Sequence, residues 1–233
     1  MALTLLDFLV LSWFLFLWIG YSFYLRYREK QGGTLAAELA RYREQWAQNV
    51  VRARTTRVHD AAILKSLSSM ANFLATTCIF ILAGLIALAA KVAMIDTVLN
   101  HYSIVYPTTV DGVMIKILFL SLIFMAAFFR LTWAMRQFSI CAIMLGAAPY
   151  AKADELDKDE EIFAQQMAKV NDLAGHDFNF GLRSFYFAFA VLFWFVHPIA
   201  FLMASSFITV AVYRQDFKSN VSEYLRVGRI WKK

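Results

Sequence analysis

The sequence VMIKILFLSLIFMAAFFRLTWAM, residues 113–135, contains only two charged side chains in 23 residues. As an α-helix it would be about 35 Å long, enough to cross the ~30 Å hydrocarbon core of a bilayer. Three more apolar stretches lie at about 3–25, 70–91 and 184–213. The pattern predicts an all-α integral membrane protein, with four transmembrane helices in a single membrane domain over residues 1–233.

The composition supports a membrane protein. Hydrophobic residues make up 60% of the 233 residues and charged residues 17%, whereas soluble domains are about half apolar and about a quarter charged. The two cysteines, Cys78 and Cys141, lie in apolar stretches without the spacing of a zinc site. We expect both to be buried as small hydrophobic side chains, and we predict neither a metal nor a cofactor.

Polar residues are concentrated in two oppositely charged segments. Segment 26–65 has nine Lys/Arg and four acids, a net charge of +5, and segment 152–177 has three Lys and eight acids, a net charge of −5. The tail 214–233 has six Lys/Arg and two acids, a net charge of +4. An even number of spans would place the first two segments on the same face. The overall charge of +6 is therefore poor support for nucleic-acid binding, which we do not expect.

Each of the two charged segments contains a predicted amphipathic or interfacial helix on the cytoplasmic side. The basic helix, 34–57, has an apolar stripe that suits a membrane interface; packing on the acidic helix, 153–174, is an equally good interpretation. The predicted surface for anionic lipid headgroups or a partner comprises Arg41, Arg43, Trp46, Arg52 and Arg54.

Lysine and arginine bias predicts the orientation. With the N-terminus outside, fourteen Lys/Arg lie inside and the six of the tail lie outside, which favours a bacterial inner (plasma) membrane protein in that orientation. The charge of the tail argues against this arrangement, and a break in the fourth span would place the tail inside. Small residues along span 70–91 indicate close helix packing, so we expect that span at the centre of the bundle.

Several polar residues are candidates for function. His197 is predicted near the middle of the fourth span, where a histidine is either functional or bonded to a neighbouring helix. Arg130 is expected to reach lipid phosphates or to pair with Asp60 near the inner boundary. The other candidates at this level are Arg136, Gln137 and Arg183. No catalytic constellation accompanies them.

Five motifs occur together in order: Phe129-Arg130-Leu131-Thr132-Trp133, Met135-Arg136-Gln137-Phe138, Gly146-Ala147-Ala148-Pro149, Phe178-Asn179-Phe180-Gly181-Leu182-Arg183 and Trp194-Phe195-Val196-His197-Pro198. With the run Ala83-Gly84-Leu85-Ile86-Ala87-Leu88, they resemble an uncharacterised membrane-protein family catalogued as domain of unknown function 599. The resemblance extends roughly from the first span to Phe217. It implies an integral membrane protein of about four spans and assigns no activity.

The first functional hypothesis is a non-enzymatic membrane subunit that self-associates or joins other membrane subunits in a larger complex. The alternative is a small oligomeric channel or transporter, with Arg130 and Asp60 in an inner polar vestibule and His197 as gate or proton site. A membrane redox subunit is the third. The expected partners are anionic lipids, further copies of the chain and other membrane subunits.

Overall fold

The computed structural model describes residues 4–53, 56–101, 106–151, 156–218 and 220–227. Within these residues the chain forms eight α-helices and no strand. In chain order they are α1 (Leu5–Gln31), α2 (Leu35–Arg52), α3 (Val58–Ala89), α4 (Val92–His101), α5 (Val110–Ala147), α6 (Lys158–Trp194), α7 (Pro198–Phe217) and α8 (Asn220–Val227).

Short polar side chains begin the main helices. Thr4 and Asp7 form a capping box at the start of α1, and Asp157 and Glu160 form another at the start of α6. The turn between α1 and α2 needs glycine, because Gly32 and Gly33 have φ values of 81° and 87°. The basic helix ends at Arg52, so the predicted range 34–57 is too long at its C-terminal end.

Three described helices are long and apolar enough to cross a membrane: residues Leu5–Glu29 of α1, Val58–Ala89 of α3 and Val110–Ala147 of α5. The first three predicted spans lie within or almost within them. The third helix continues well past residue 135, the end of its predicted span, because α5 ends at Ala147. At 38 residues, α5 is about 57 Å long and extends well beyond a ~30 Å hydrocarbon layer.

The prediction of a single helix over 184–213 is wrong. Helix α6 joins the acidic segment to the first part of that range and ends at Trp194, and α7 starts at Pro198. Proline has no backbone N–H and is well suited to the first helical position, so it starts a new helix here. The acidic helix also continues past its predicted end at residue 174: Gly175 lies inside α6, where an added β-carbon would collide with the guanidinium of Arg43.

Helices α6 and α7 form an antiparallel hairpin. Beside the turn, the rings of Trp194 and Phe201 stack with their centroids 5.2 Å apart. At the other end, Arg183 pairs with Asp216 at 3.3 Å. Helix α7 therefore returns toward the level at which α1 ends.

The C-terminal helix α8 lies beside α2, where the Tyr42 hydroxyl donates to the carbonyl oxygen of Leu225 at 3.3 Å. The predicted position of the tail, opposite the basic segment, assumes a single uninterrupted fourth helix. Since α6 and α7 form a hairpin instead, the described part of the tail lies at the same end of the molecule as the basic helix.

The buried residues form two main clusters. The larger one joins α1, α3, α5, α6 and α7 and contains the aromatic core around Phe14, Trp194 and Phe201. The second joins α2 to the extended ends of α3, α5 and α6. Helix α5 contributes to both clusters and packs against both α3 and α6. It is therefore α5 that lies centrally, whereas α3, the predicted centre, packs mainly on α5 at the edge of the bundle.

Candidate functional site

Asp177 on α6 is the centre of a group of paired side chains at the end of the apolar bundle nearest α2, which we call the inner end. Its carboxylate accepts from Arg130 and from Gln137, each at 2.7 Å. Arg130 and Gln137 are two turns apart on α5 and so share a face. Asp177 is only 6% exposed, and these two donors offset the cost of burying its charge.

A second carboxylate, Asp216 on α7, completes this inner polar layer. It accepts from the Tyr21 hydroxyl at 2.6 Å and from Arg183 at 3.3 Å. These bonds connect α1, α6 and α7 at one level. We use the term inner polar layer for these two groups, which comprise Tyr21, Arg130, Gln137, Asp177, Arg183 and Asp216.

The oppositely charged segments also pair directly beyond this layer. Arg43 of α2 contacts Asp172 of α6 at 2.6 Å, which supports packing of the basic helix on the acidic one. Nearby, His176 lies 4.0 Å from Glu29. Burial lowers the pKa of His176, and the positive charge of Arg26 lowers it further, so this imidazole is neutral at pH 7.

The predicted pairing of Arg130 with Asp60 is wrong. Asp60 accepts from the indole N–H of Trp46 at 2.7 Å. Because α3 begins at Val58, Asp60 lies near the end of its extension beside α2, whereas Arg130 lies at the level of Asp177. Gln137 and Arg183 do belong to the inner polar layer, as partners of Asp177 and Asp216.

The structure separates the other predicted candidates. His197 lies in the turn before α7, where its Nδ1 accepts from the Ile199 N–H at 3.1 Å; the predicted position in the middle of a span is therefore wrong. The predicted lipid surface is also divided: Arg43 and Trp46 have partners on other helices, and Arg41 pairs with Glu38 in its own helix. The last two residues of that surface are Arg52, which is exposed, and Arg54, which lies outside the described residues. Arg136, a separate candidate, is exposed and lies over the ring of Trp133.

Three residues that were not among the predicted functional candidates form an outer polar cluster beside the hairpin turn: Asp7, Lys116 and Trp194. Lys116 donates to the carbonyl oxygen of Trp194 at 3.0 Å, and the Trp194 indole donates to Asp7 at 2.8 Å. Lys116 is 2% exposed, Trp194 is 0% exposed and Asp7 is 4% exposed. The only signal in the sequence was one acid in the first apolar stretch and one lysine in the third.

Arg57 is a further residue that sequence reasoning missed. Its guanidinium donates to the carbonyl oxygens of Ala148 and Pro149 at 2.6 Å and 2.8 Å, and to that of Leu145 at 3.2 Å. A cation at a helix C-terminus interacts favourably with the helix dipole and satisfies carbonyl groups that have no partner in the helix. Arg57 therefore donates to carbonyl groups at the C-terminal end of α5, as Lys116 does at the C-terminal end of α6.

The sequence profile of a protein family of unknown function, DUF599, matches residues 9–221. The chain belongs to this family. No curated protein and no solved structure matches it. The family match covers the whole inner polar layer and, in the outer polar cluster, Lys116 and Trp194, whereas Asp7 lies just before the matched residues.

The outer polar cluster predicts a specific loss of stability. Lys116→Met leaves a buried carbonyl group without its donor, so we expect the free energy of unfolding to fall by about 1–3 kcal/mol. Lys91→Met, at an exposed position, is the matched control and should change little. Thermal unfolding in a mild detergent measures both.

Asp7→Asn should cost less in the Lys116→Met background than in the wild type, because the charge attraction between Asp7 and Lys116 is already lost. Equal stability of Lys116→Met and Lys91→Met would contradict the assigned role of Lys116.

The inner polar layer predicts which carboxylate is coupled to Arg130. In a double-mutant cycle, Arg130→Gln and Asp177→Asn should show a coupling energy of about 0.5–3 kcal/mol, as is usual for residues in contact. Arg130→Gln and Asp60→Asn should be additive to within about 0.5 kcal/mol. Coupling to Asp60 with additivity at Asp177 would overturn the arrangement described.

Proposed function

We propose that this chain is a non-enzymatic membrane subunit that self-associates or joins a larger membrane complex. The observation that carries the proposal is the exposed face of α3. Helix α3 buries Ala71, Ala75 and Cys78, whereas Asn72, Thr76, Ala83 and Ala87 are exposed.

The four exposed residues fall within an arc of about 60° on the helix. Lipid gives no hydrophobic reward for helix association, so membrane helices associate through small residues that permit close approach and through polar side chains that bond across helices. Ala83 and Ala87 would permit the approach, and Asn72 and Thr76 would supply hydrogen bonds. Asn72 carries both a donor and an acceptor, which allows it to pair with the same residue of a second copy.

The proposed topology has five crossings, of which α6 (beyond Asp177) and α7 supply two. This adds one crossing to the four expected, because the hairpin returns the chain. Nine Lys/Arg of the basic segment, five between residues 136 and 183 and six from Arg214 onward then lie on one side, twenty of the chain's 23. The positive-inside rule favours that side as the cytoplasmic one, which supports the proposal of an N-terminus outside and a bacterial inner membrane.

A channel or transporter is the second candidate, and one observation favours it. Ionisable residues buried at membrane depth often mark a path for ions or protons, and Asp7 and Lys116 are such residues. A path through one chain is disfavoured, because Phe14 packs against Phe119, Phe187 and Phe201 with ring centroids 5.1–5.8 Å apart. A conducting path would therefore lie between chains, and ion flux into liposomes would reveal it.

The redox hypothesis has less support from geometry. His197, the only histidine that the sequence placed within a span, lies at the hairpin turn and uses its Nδ1 to cap α7. Capping gives this residue a structural role without a redox group.

The self-association proposal predicts the effect of enlarging the exposed alanines. The double substitution Ala83→Leu and Ala87→Leu keeps the surface apolar, so the fold of the chain in lipid should not change. The larger side chains should prevent close approach of a second helix. We expect wild-type chains to be dimers or larger in native-lipid nanodiscs, and the variant to shift to monomers. Counting photobleaching steps of a single attached fluorophore measures the number of copies.

Ala211→Leu is the matched control, because Ala211 is exposed on α7 and lies outside the proposed interface. It should leave the number of copies unchanged. Asn72→Leu should weaken association by about fivefold, corresponding to one hydrogen bond between membrane helices worth ~1 kcal/mol. A wild-type chain that is monomeric in native lipid would refute self-association through α3.

A further inference from the structure

A groove runs along the surface of α1 near the inner polar layer. Its volume is about 360 Å³, within the range of about 300–1,000 Å³ typical of ligand pockets. Helix α1 lines it with Trp18, Ile19, Ser22, Phe23 and Arg26, and Arg130 of α5 and Phe180 of α6 complete the wall.

The groove combines an apolar wall with two cations. Trp18, Ile19 and Phe23 continue along α1 from Arg26 toward the hydrocarbon region. Ile19 is 48% exposed and Phe23 is 69% exposed, so this wall is open to the surrounding medium. The groove is therefore apolar along its length and positively charged at one end.

Asp177 neutralises only one of the two arginines of the groove. Arg26 is exposed and makes no ion pair with another described residue. Arg130 uses one nitrogen for Asp177, lies over the ring of Phe180 at 4.8 Å and keeps 41% of its side chain exposed. Since Asp177 supplies one negative charge, the group retains a net charge of about +1, which complements a single anionic headgroup.

The remaining titratable groups nearby leave this charge in place. His176 is neutral at pH 7, and its lowered pKa reflects burial and then the positive field of Arg26 and Arg183. Glu29 lines a separate cleft with Arg43, Asp172 and His176. Glu29 feels the positive charges of Arg183 and Arg26, but no carboxylate is among the residues that line the groove itself.

We propose that the groove binds one anionic phospholipid, with its phosphate held by Arg26 and Arg130 and one acyl chain along Trp18, Ile19 and Phe23. Arginine suits phosphate because its planar guanidinium donates two parallel hydrogen bonds. A soluble anion would use the cations alone and leave the apolar wall exposed. The site lies on α1, away from the exposed face of α3, so it can fail or succeed independently of the proposed self-association.

Native mass spectrometry of the purified full chain tests this proposal. The probes are phosphatidylglycerol, phosphatidylcholine of the same acyl chains, and inorganic phosphate. We expect phosphatidylglycerol to bind with one tight site and phosphatidylcholine to bind at least tenfold more weakly. Inorganic phosphate at the same concentration should not displace the lipid.

Arg26→Gln should weaken binding of phosphatidylglycerol about tenfold, because a hydrogen bond to a charged group is lost. Arg41→Gln is the matched control: Arg41 is half exposed on α2 and pairs within its own helix, so its loss should leave the tight site intact. Ser22→Phe should fill the groove and abolish the tight site. Thermal unfolding of each variant confirms that it is folded.

Equal binding of the two lipids, or equal binding by Arg26→Gln and the wild type, would overturn the proposal. Displacement by inorganic phosphate would also overturn it, by showing a site for soluble anions.

Discussion

The end of α6 is the constraint on which the rest of the structure depends. The helix stops at Trp194, inside an apolar bundle. The carbonyl groups of Leu192 and Phe193 accept from N–H groups of the turn, but the carbonyl group of Trp194 lies beyond the last helical hydrogen bonds. A buried carbonyl group without a donor costs about 1–3 kcal/mol. Lys116 supplies a donor and a positive charge at the negative end of the helix dipole. The break is therefore compatible with the apolar surroundings because α5 supplies this cation.

The same cluster also fixes α1. Asp7 caps the N-terminus of α1 and accepts from the Trp194 indole, so one carboxylate complements the positive end of α1 and holds the residue that ends α6. At the other end of the hairpin, Asp216 joins Arg183 and Tyr21. The hairpin is held at both ends, and its return determines that α8 reaches α2.

Sequence reasoning identified the helices whose hydropathy or charge pattern extends over many residues. Three apolar stretches became α1, α3 and α5, and the two charged segments became α2 and the start of α6. Hydropathy did not reveal the turn at residues 195–197, because the residues around it are as apolar as a continuous span. The His197-Pro198 pair was noticed, but a proline inside an apolar run indicates a kink as readily as a new helix.

The candidate site was predicted less well, because the pairing of its residues depends on how far along its helix each residue lies. Arg130 needed a carboxylate at its own level, and the sequence contained several. Asp60 was excluded only by the start of α3 at Val58, and Asp177 was brought to the level of Arg130 only by the continuation of α6 through Gly175. Asp7 and Lys116 were missed because a single charge in an apolar stretch has no periodic signal, and their meeting depends on three helices.

The returning hairpin is tested most directly by finding on which side of the membrane α8 lies. In a chain without its native cysteines (Cys78→Ala, Cys141→Ala), single cysteines are introduced as Gln45→Cys on α2, Asp111→Cys at the start of α5 and Glu223→Cys on α8. A membrane-impermeant maleimide is applied to intact cells and to permeabilised cells. The account predicts that positions 45 and 223 react only after permeabilisation, whereas position 111 reacts in intact cells. Reaction of position 223 in intact cells, with position 45 protected, would place the tail on the opposite side and contradict the returning hairpin.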